Sequence, residues 1–144
     1  MKRYLSKISG PLLDRMDIQV EVASIDYDDL RISSSQEESS ETIKKRVDAA
    51  RAYARARFEE GGDHIRKNGD MTAREIEKYC HLSDEASTLL KAAFEKLGMS
   101  ARGYSKILKL ARTIADLELC EVIGPGHIAE AISLRSLDKK YFNE

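Results

Sequence analysis

No charge of either sign dominates this chain. Its 24 Lys and Arg stand against 25 Asp and Glu, for a net charge of -1. That balance removes the bulk basic signature of a nucleic-acid-binding protein. No apolar run approaches the ~20 residues needed to cross a membrane. The basic start, Met1-Lys2-Arg3, leads into no apolar stretch of signal-peptide length. Cysteine is scarce. Cys80 and Cys120 read as free thiols in a reducing, cytoplasmic setting, with one disulfide between them as the alternative. His64, His81 and His127 lack metal-ligand spacing with one another or with the cysteines, so no metal site is expected. The phosphate loop G-x-x-x-x-G-K-[ST] is missing, as are H-E-x-x-H, G-x-S-x-G and paired CxxC motifs. The acidic residues are dispersed, with no pair spaced for acid and base roles. Nothing here completes an active site alone.

What is present is a succession of helix signals. At 144 residues there is room for one core plus an extension, and the 34% charged fraction suits a soluble helical protein. Residues 1–15 read as irregular or briefly helical, punctuated by Gly10-Pro11. Asp17-Ile18-Gln19-Val20-Glu21-Val22 alternates polar and apolar and predicts one strand. A lone strand is not stable, so its sheet is expected elsewhere, in a longer polypeptide. Residues 23–40 are polar and acidic and read as a linker. Ser39 or Ser40 then caps a long helix through about Glu60. Ile43, Val47, Ala50, Ala54 and Phe58 form its apolar stripe, and Lys44, Lys45, Arg46, Arg51, Arg55 and Arg57 its other faces. Gly61-Gly62 stops it. Thr72 and Glu75 fit a capping box, with Met71 and Ile76 as a staple, for a short helix ending near Cys80. Ser83 caps the next helix, which packs through Ala86, Leu90, Ala93, Phe94 and Leu97 and stops at Gly98. Gly124-Pro125-Gly126 precedes a last helix through Ile128, Ala131, Ile132 and Leu137. The predicted fold is all-α, a bundle of four or five helices on an N-terminal arm.

The most informative helix runs from Ser100 to Leu117. Ser100 is a good N-cap, and Met99 with Tyr104 can staple the start. Arg102 falls in the first turn, at the positive end of the helix dipole, where a cation is mildly unfavourable. Unpaired N–H groups, the dipole and an arginine together make an anion site. Gly103 would let a ligand approach the backbone. At about 100° per residue, Arg102, Lys106, Lys109 and Thr113 share one face, opposite Tyr104, Ile107, Leu108, Ala111, Ile114 and Ala115. The plain alternative is a solvated basic face, the reading kept for Lys106, Lys109 and Arg112.

Two segments resemble a known family. Tyr4-Leu5-Ser6-Lys7-Ile8-Ser9-Gly10-Pro11-Leu12-Leu13-Asp14-Arg15-Met16-Asp17-Ile18 looks like the segment closing the ATPase core in magnesium chelatase-like AAA+ proteins of the bacterial ComM type. Ser100-Ala101-Arg102-Gly103-Tyr104 and the run Ile107 to Leu117 look like their C-terminal lid. His127 to Ile132 and Arg135-Ser136-Leu137-Asp138 match the lid's last helix. The middle, Gly61 to Met71, matches loosely, and Lys106 stands where relatives often have arginine. The resemblance implies that residues 1–38 are the tail of the ATPase core with a linker, and 39–144 the helical lid. It implies that Arg15 is similar to an arginine finger reaching a neighbouring subunit's nucleotide. Arg102 is then similar to the sensor-2 residue that reads the terminal phosphate of ATP. The plain alternative for Arg15 is an ion pair with Asp14 or Asp17.

The same resemblance implies ATP and Mg2+ in the full-length protein and none bound by the isolated chain. The phosphate loop and metal-binding strand would precede Met1. Implied partners are the ATPase core of the same polypeptide and neighbouring subunits of a homohexamer, with DNA as a further candidate and no membrane. The expected role is nucleotide sensing and domain motion in DNA processing or natural transformation. Two other classes of function stand beside it: a helical DNA-binding module, motivated by the basic side of the 40–60 helix, and a bundle that only assembles the ring.

Overall fold

Most of the helices begin where a small polar side chain closes the first turn. The computed structural model describes residues 12, 15–22, 24 and 38–135. Helix α1, Ser40–Glu60, is capped by Ser39, whose Oγ accepts the Thr42 N–H at 3.2 Å. Helix α2, Ala73–Tyr79, starts with Glu75 Oε2 accepting the Thr72 N–H at 2.5 Å. Ser83 caps α3, Asp84–Leu97, by accepting from Ala86 N–H at 3.2 Å. Ser100 caps α4, Ala101–Leu117, by accepting from Gly103 N–H at 3.0 Å. Helix α5, Pro125–Ser133, opens instead with proline, whose missing N–H would have had no partner there. A short 3-10 turn, Asn68–Asp70, lies between α1 and α2.

Two helices stop by the same device. Gly98, at φ 54°, ends α3: Met99 N–H reaches Phe94 O at 3.2 Å and Gly98 N–H reaches Glu95 O at 3.4 Å. Helix α4 repeats that pattern with a leucine in the glycine place. Leu119 sits at φ 56°, with Cys120 N–H donating to Ala115 O at 2.8 Å and Leu119 N–H to Asp116 O at 3.1 Å. Gly61, after α1, is required for another reason. A Cβ there would fall 1.8 Å from the Tyr79 hydroxyl. That hydroxyl and the Lys78 ammonium bind Asp63, and hold its carboxyl below the usual range, Lys78 most strongly.

The core gathers on α4. Its Ile107, Leu108, Ala111, Ile114 and Ala115 are buried. Helix α5, through Ile128 and Ala131, packs on both α4 and α3. Phe58 and Tyr79 meet edge to face at 5.2 Å beneath them. Ile123 N–H donates to His81 O, and Ser83 N–H to Ile123 O, which ties the α2–α3 and α4–α5 connections together. The turn between α3 and α4 is short, residues 98–100, although the main packing of each helix is with α5. Both cysteines are free, so the disulfide alternative falls.

Three expectations need correction. Residues 17–22 form no strand: Ile18, Val20 and Val22 are 52%, 66% and 85% exposed. The alternation had no partner strand to pack against among the described residues. The apolar stripe of α1 packs only in its second half, through Ala50 and Phe58, while Ile43 is exposed. Arg112 is not solvated surface but fully buried, at 0% exposure. Leu137 and most of the 1–15 and 23–40 segments lie outside the described residues.

Arg112 is buried because Asp116, 2% exposed, is buried with it. The Asp116 carboxylate accepts from Arg112 Nε at 3.1 Å, from Arg57 Nη1 at 2.5 Å and Nη2 at 2.9 Å, and from Asn68 Nδ2 at 2.7 Å. Arg112 also donates to the carbonyls of Cys120 and Glu121. Removing one partner of such a buried network leaves uncompensated charge, at about 3–5 kcal/mol. Asp116→Ala is therefore expected to lose stability of that order in urea denaturation. A loss under about 1 kcal/mol would show that the two guanidiniums rehydrate freely.

Candidate functional site

The acid-free start of α4 is the feature from which the site grows. No Asp or Glu lies in its first turn. Ser100 satisfies the Gly103 N–H, and Arg102 beside it is exposed. Gly103 is buried, so it serves packing and does not open the backbone to a ligand. Tyr104 leans on Phe94 at 5.8 Å, edge to face, which steadies this end of the helix.

Lys106 follows Arg102 by four residues and so shares its face, one turn on. Its ammonium donates to the carbonyl of Arg15 and pairs with Asp17 Oδ1 at 2.7 Å. That hydrogen bond is the main reason the Asp17 carboxyl sits below the ordinary carboxylate range. Arg135, just past α5, donates to the carbonyls of Met16 and Asp17. The Arg15 backbone is thereby held against Lys106, one turn along α4 from Arg102, and both arginines are exposed. Lys109 donates to Gly69 O at 2.9 Å, and Thr113 accepts from Asn68 Nδ2 at 3.1 Å. The stripe beyond Arg102 is thus engaged with the protein, against the expectation of solvated lysines. Lys106, Lys109 and Arg112 each hold a backbone carbonyl.

Two other clusters are chemically notable. A groove of about 710 Å³ between α1 and the 3-10 turn carries Arg51, Arg55, Arg66 and Lys67 on its lining. Near the end of α4, ligand atoms of Glu118, Cys120 and His127 lie within 4.8 Å of one another. There the imidazole decides the chemistry. His127 Nδ1 accepts the Gly124 N–H at 2.9 Å, which puts the ring proton on Nε2, 3.0 Å from Glu118 Oε2. Neither nitrogen keeps a lone pair for a metal without breaking a bond. The cluster closes the start of α5. Cys80 is equally inert: burial pushes its thiol up to about 11.

Sequence reasoning missed Arg57, Asn68, Asp116, Asp17 and Arg135. The four-residue spacing of Arg112 and Asp116, bordered by Ala111 and Ala115, was a legible sign of a buried pair. Nothing local announces Arg57, whose partner lies 59 residues away.

Comparison with known proteins shows the family. Residues 37–135 match the family described as magnesium chelatase, subunit ChlI C-terminal, and residues 1–30 match magnesium chelatase, subunit ChlI. The chain is 40% identical over 139 residues to YifB of Salmonella typhimurium, covering 95% of this chain and 26% of that protein. It is 36% identical over 135 residues to the competence protein ComM of Haemophilus influenzae, covering 94% of this chain and 25% of that protein. YifB of Escherichia coli is 36% identical over 137 residues, again 95% of this chain and 26% of the relative. The chain therefore spans about a quarter of the length of these relatives.

The His127 assignment has a direct readout. Nitrogen-detected NMR at neutral pH is expected to show the Nε2–H tautomer, and added Zn2+ is expected to leave the ring resonances in place. An Nδ1–H ring, or saturable Zn2+ shifts, would reopen the cluster as a metal site.

Proposed function

The chain belongs to the magnesium chelatase subunit ChlI C-terminal family, as a helical lid of the ComM/YifB type, and from that premise we propose that it senses ATP and couples hydrolysis to domain motion. The observation that supports this reading is an exposed Arg102 in a first turn without Asp or Glu, one turn before Lys106, whose ammonium holds the Arg15 carbonyl. Such a start suits a phosphate, since free N–H groups and the dipole both favour an anion. The Asp17 carboxylate beside this end of the helix is paired with Lys106, and in this reading Mg2+ is held by other residues of a longer protein.

In this reading residues 39–144 are the lid and residues 1–38 the tail of an ATPase core. Arg102 binds the terminal phosphate as sensor 2. Arg15 acts in trans as an arginine finger, placing positive charge on a neighbouring subunit's nucleotide. The ring is a homohexamer, and the lid shifts as the terminal phosphate is made or lost. In this reading the longer protein acts in the cytoplasm in DNA processing and natural transformation, and the relative named for competence supports the last of these. No described helix is long and apolar enough to cross a membrane.

Arg15→Ala and Arg102→Ala, made in the longer protein, should each depress ATP hydrolysis, the first on the order of 10³-fold or more. The isolated 144-residue chain should neither hydrolyse ATP nor bind it tightly. Wild-type turnover in either variant removes the role given to that arginine, and micromolar affinity of the isolated chain contradicts the split site.

A second reading, a DNA-binding module, is favoured by the groove with Arg51, Arg55, Arg66 and Lys67. Lys67 is partly engaged by Asp70 at 3.7 Å. If DNA lies there, affinity should fall steeply with salt, with a log–log slope of about 0.9 for each phosphate contacted. Absence of binding at low salt rules this out for the isolated domain.

A further inference from the structure

Residues 15–19 carry the arginine read above as the finger, yet they do not travel as a free arm. Five contacts fasten them. Lys106 donates to the Arg15 carbonyl and pairs with Asp17 at 2.7 Å. Arg135 donates to the Met16 carbonyl, and to the Asp17 carbonyl at 3.3 Å. The Gln19 N–H donates to Leu134 O at 2.7 Å. Most of these bonds go to main-chain atoms, so they fix the backbone path whatever the side chains do. The two cations come from different parts of the bundle, one from the second turn of α4 and one from the end of α5. Their separation resists rotation as well as displacement.

Burial shows which side is built and which side is held. The Lys106 side chain is 15% exposed and Asp17 78% exposed. The lysine side chain is mostly covered where the segment meets the bundle, with its ammonium on the segment. An exposed surface pair has no such support and contributes little.

We infer that Lys106 and Arg135 are positioning residues that clamp residues 15–19 onto the lid, so that Arg15 moves with the lid rather than with the ATPase core. This rests on the reading of Arg15 as a finger. Its consequence is specific. Motion of the lid in one subunit advances or withdraws Arg15 from the neighbour's nucleotide, which makes lid position and finger position one variable. Placement errors near 1 Å can cost on the order of 100-fold in rate, so loosening the clamp should be visible in turnover.

Two measurements test this, and they fail separately. In hydrogen exchange on the 144-residue chain, Lys106→Met and Arg135→Met should each lower protection of the Gln19 amide, by about tenfold or more. Amides of α4 should keep theirs, which reports an intact bundle. Lys106→Arg, which still offers donors at similar reach, should restore Gln19 protection. Unchanged Gln19 protection in both methionine variants overturns the clamp. In the longer protein, Lys106→Met should lower kcat by roughly 10- to 100-fold with KM for ATP little changed. In an Arg15→Ala background the same substitution should add nothing further. A full additional loss there overturns positioning through Arg15. Wild-type turnover of Arg15→Ala alone would sink the finger reading, while the exchange result would still judge the clamp.

Discussion

The Asp116 carboxylate is the interaction on which the rest of the lid depends. Four donors converge on it from α1, the 3-10 turn and α4. Burying a charge is costly unless it is paired and hydrogen-bonded, and this one is both. The Arg57 fork supplies two parallel charge-assisted bonds, the strong geometry for a carboxylate. Arg112 supplies one, then spends its remaining donors on the carbonyls of Cys120 and Glu121. Those carbonyls follow a helix end, where acceptors are left without intrahelical partners. One arginine thus neutralises the carboxylate and secures the turn. That turn needs securing, because Leu119 occupies a left-handed conformation costing roughly 1–2 kcal/mol for a residue with a Cβ.

The same network sets the register of α1. Only its second half is packed, and the buried apolar contacts there are few, chiefly Ala50 and Phe58. Such contacts alone would tolerate a slide or a rotation. Arg57 does not, since one rotation of α1 delivers its fork to Asp116 and Asn68 together. The fit is incomplete, because Arg57 Nε is buried without a partner. The network therefore specifies an arrangement more than it adds stability, in keeping with the modest net worth of buried ion pairs.

Local rules were legible and long-range ones were not. Ser39, Ser83 and Ser100 could be placed as caps because a cap is decided within three residues. Gly98 and Gly124-Pro125 were equally readable as stops and starts. Arg112 was misplaced because a helical wheel shows which face a charge lies on, but not what another helix brings to it. The 17–22 alternation predicted a strand, and the period was real. A strand needs a partner edge, however, and the segment instead found the Lys106 ammonium and Arg135. Arg15 and Arg102 were chosen through family resemblance. The hold on the Arg15 backbone depends on Lys106, which the sequence offered only as surface.

The two ends of α4 now have different physical duties. Its 17 residues span about 25 Å. The C-terminal half is encased and locked by charge, while the N-terminal half shows Arg102 and carries Lys106. Dipole and N–H effects on an anion act within the first turn only, so any phosphate is felt at that end alone. To matter elsewhere the force must be carried by a body that does not bend. The helix meets this need, because α5 and the locked α1 pack along it and the Asp116 network prevents slip between them. In the proposed role a pull at Arg102 then displaces the lid as a unit, and the segment bound to Lys106 and Arg135 goes with it. A more loosely packed α4 would absorb the same pull in its own fraying. In the proposed role the buried charges are thus what let a contact at one helix end become a movement of the whole domain.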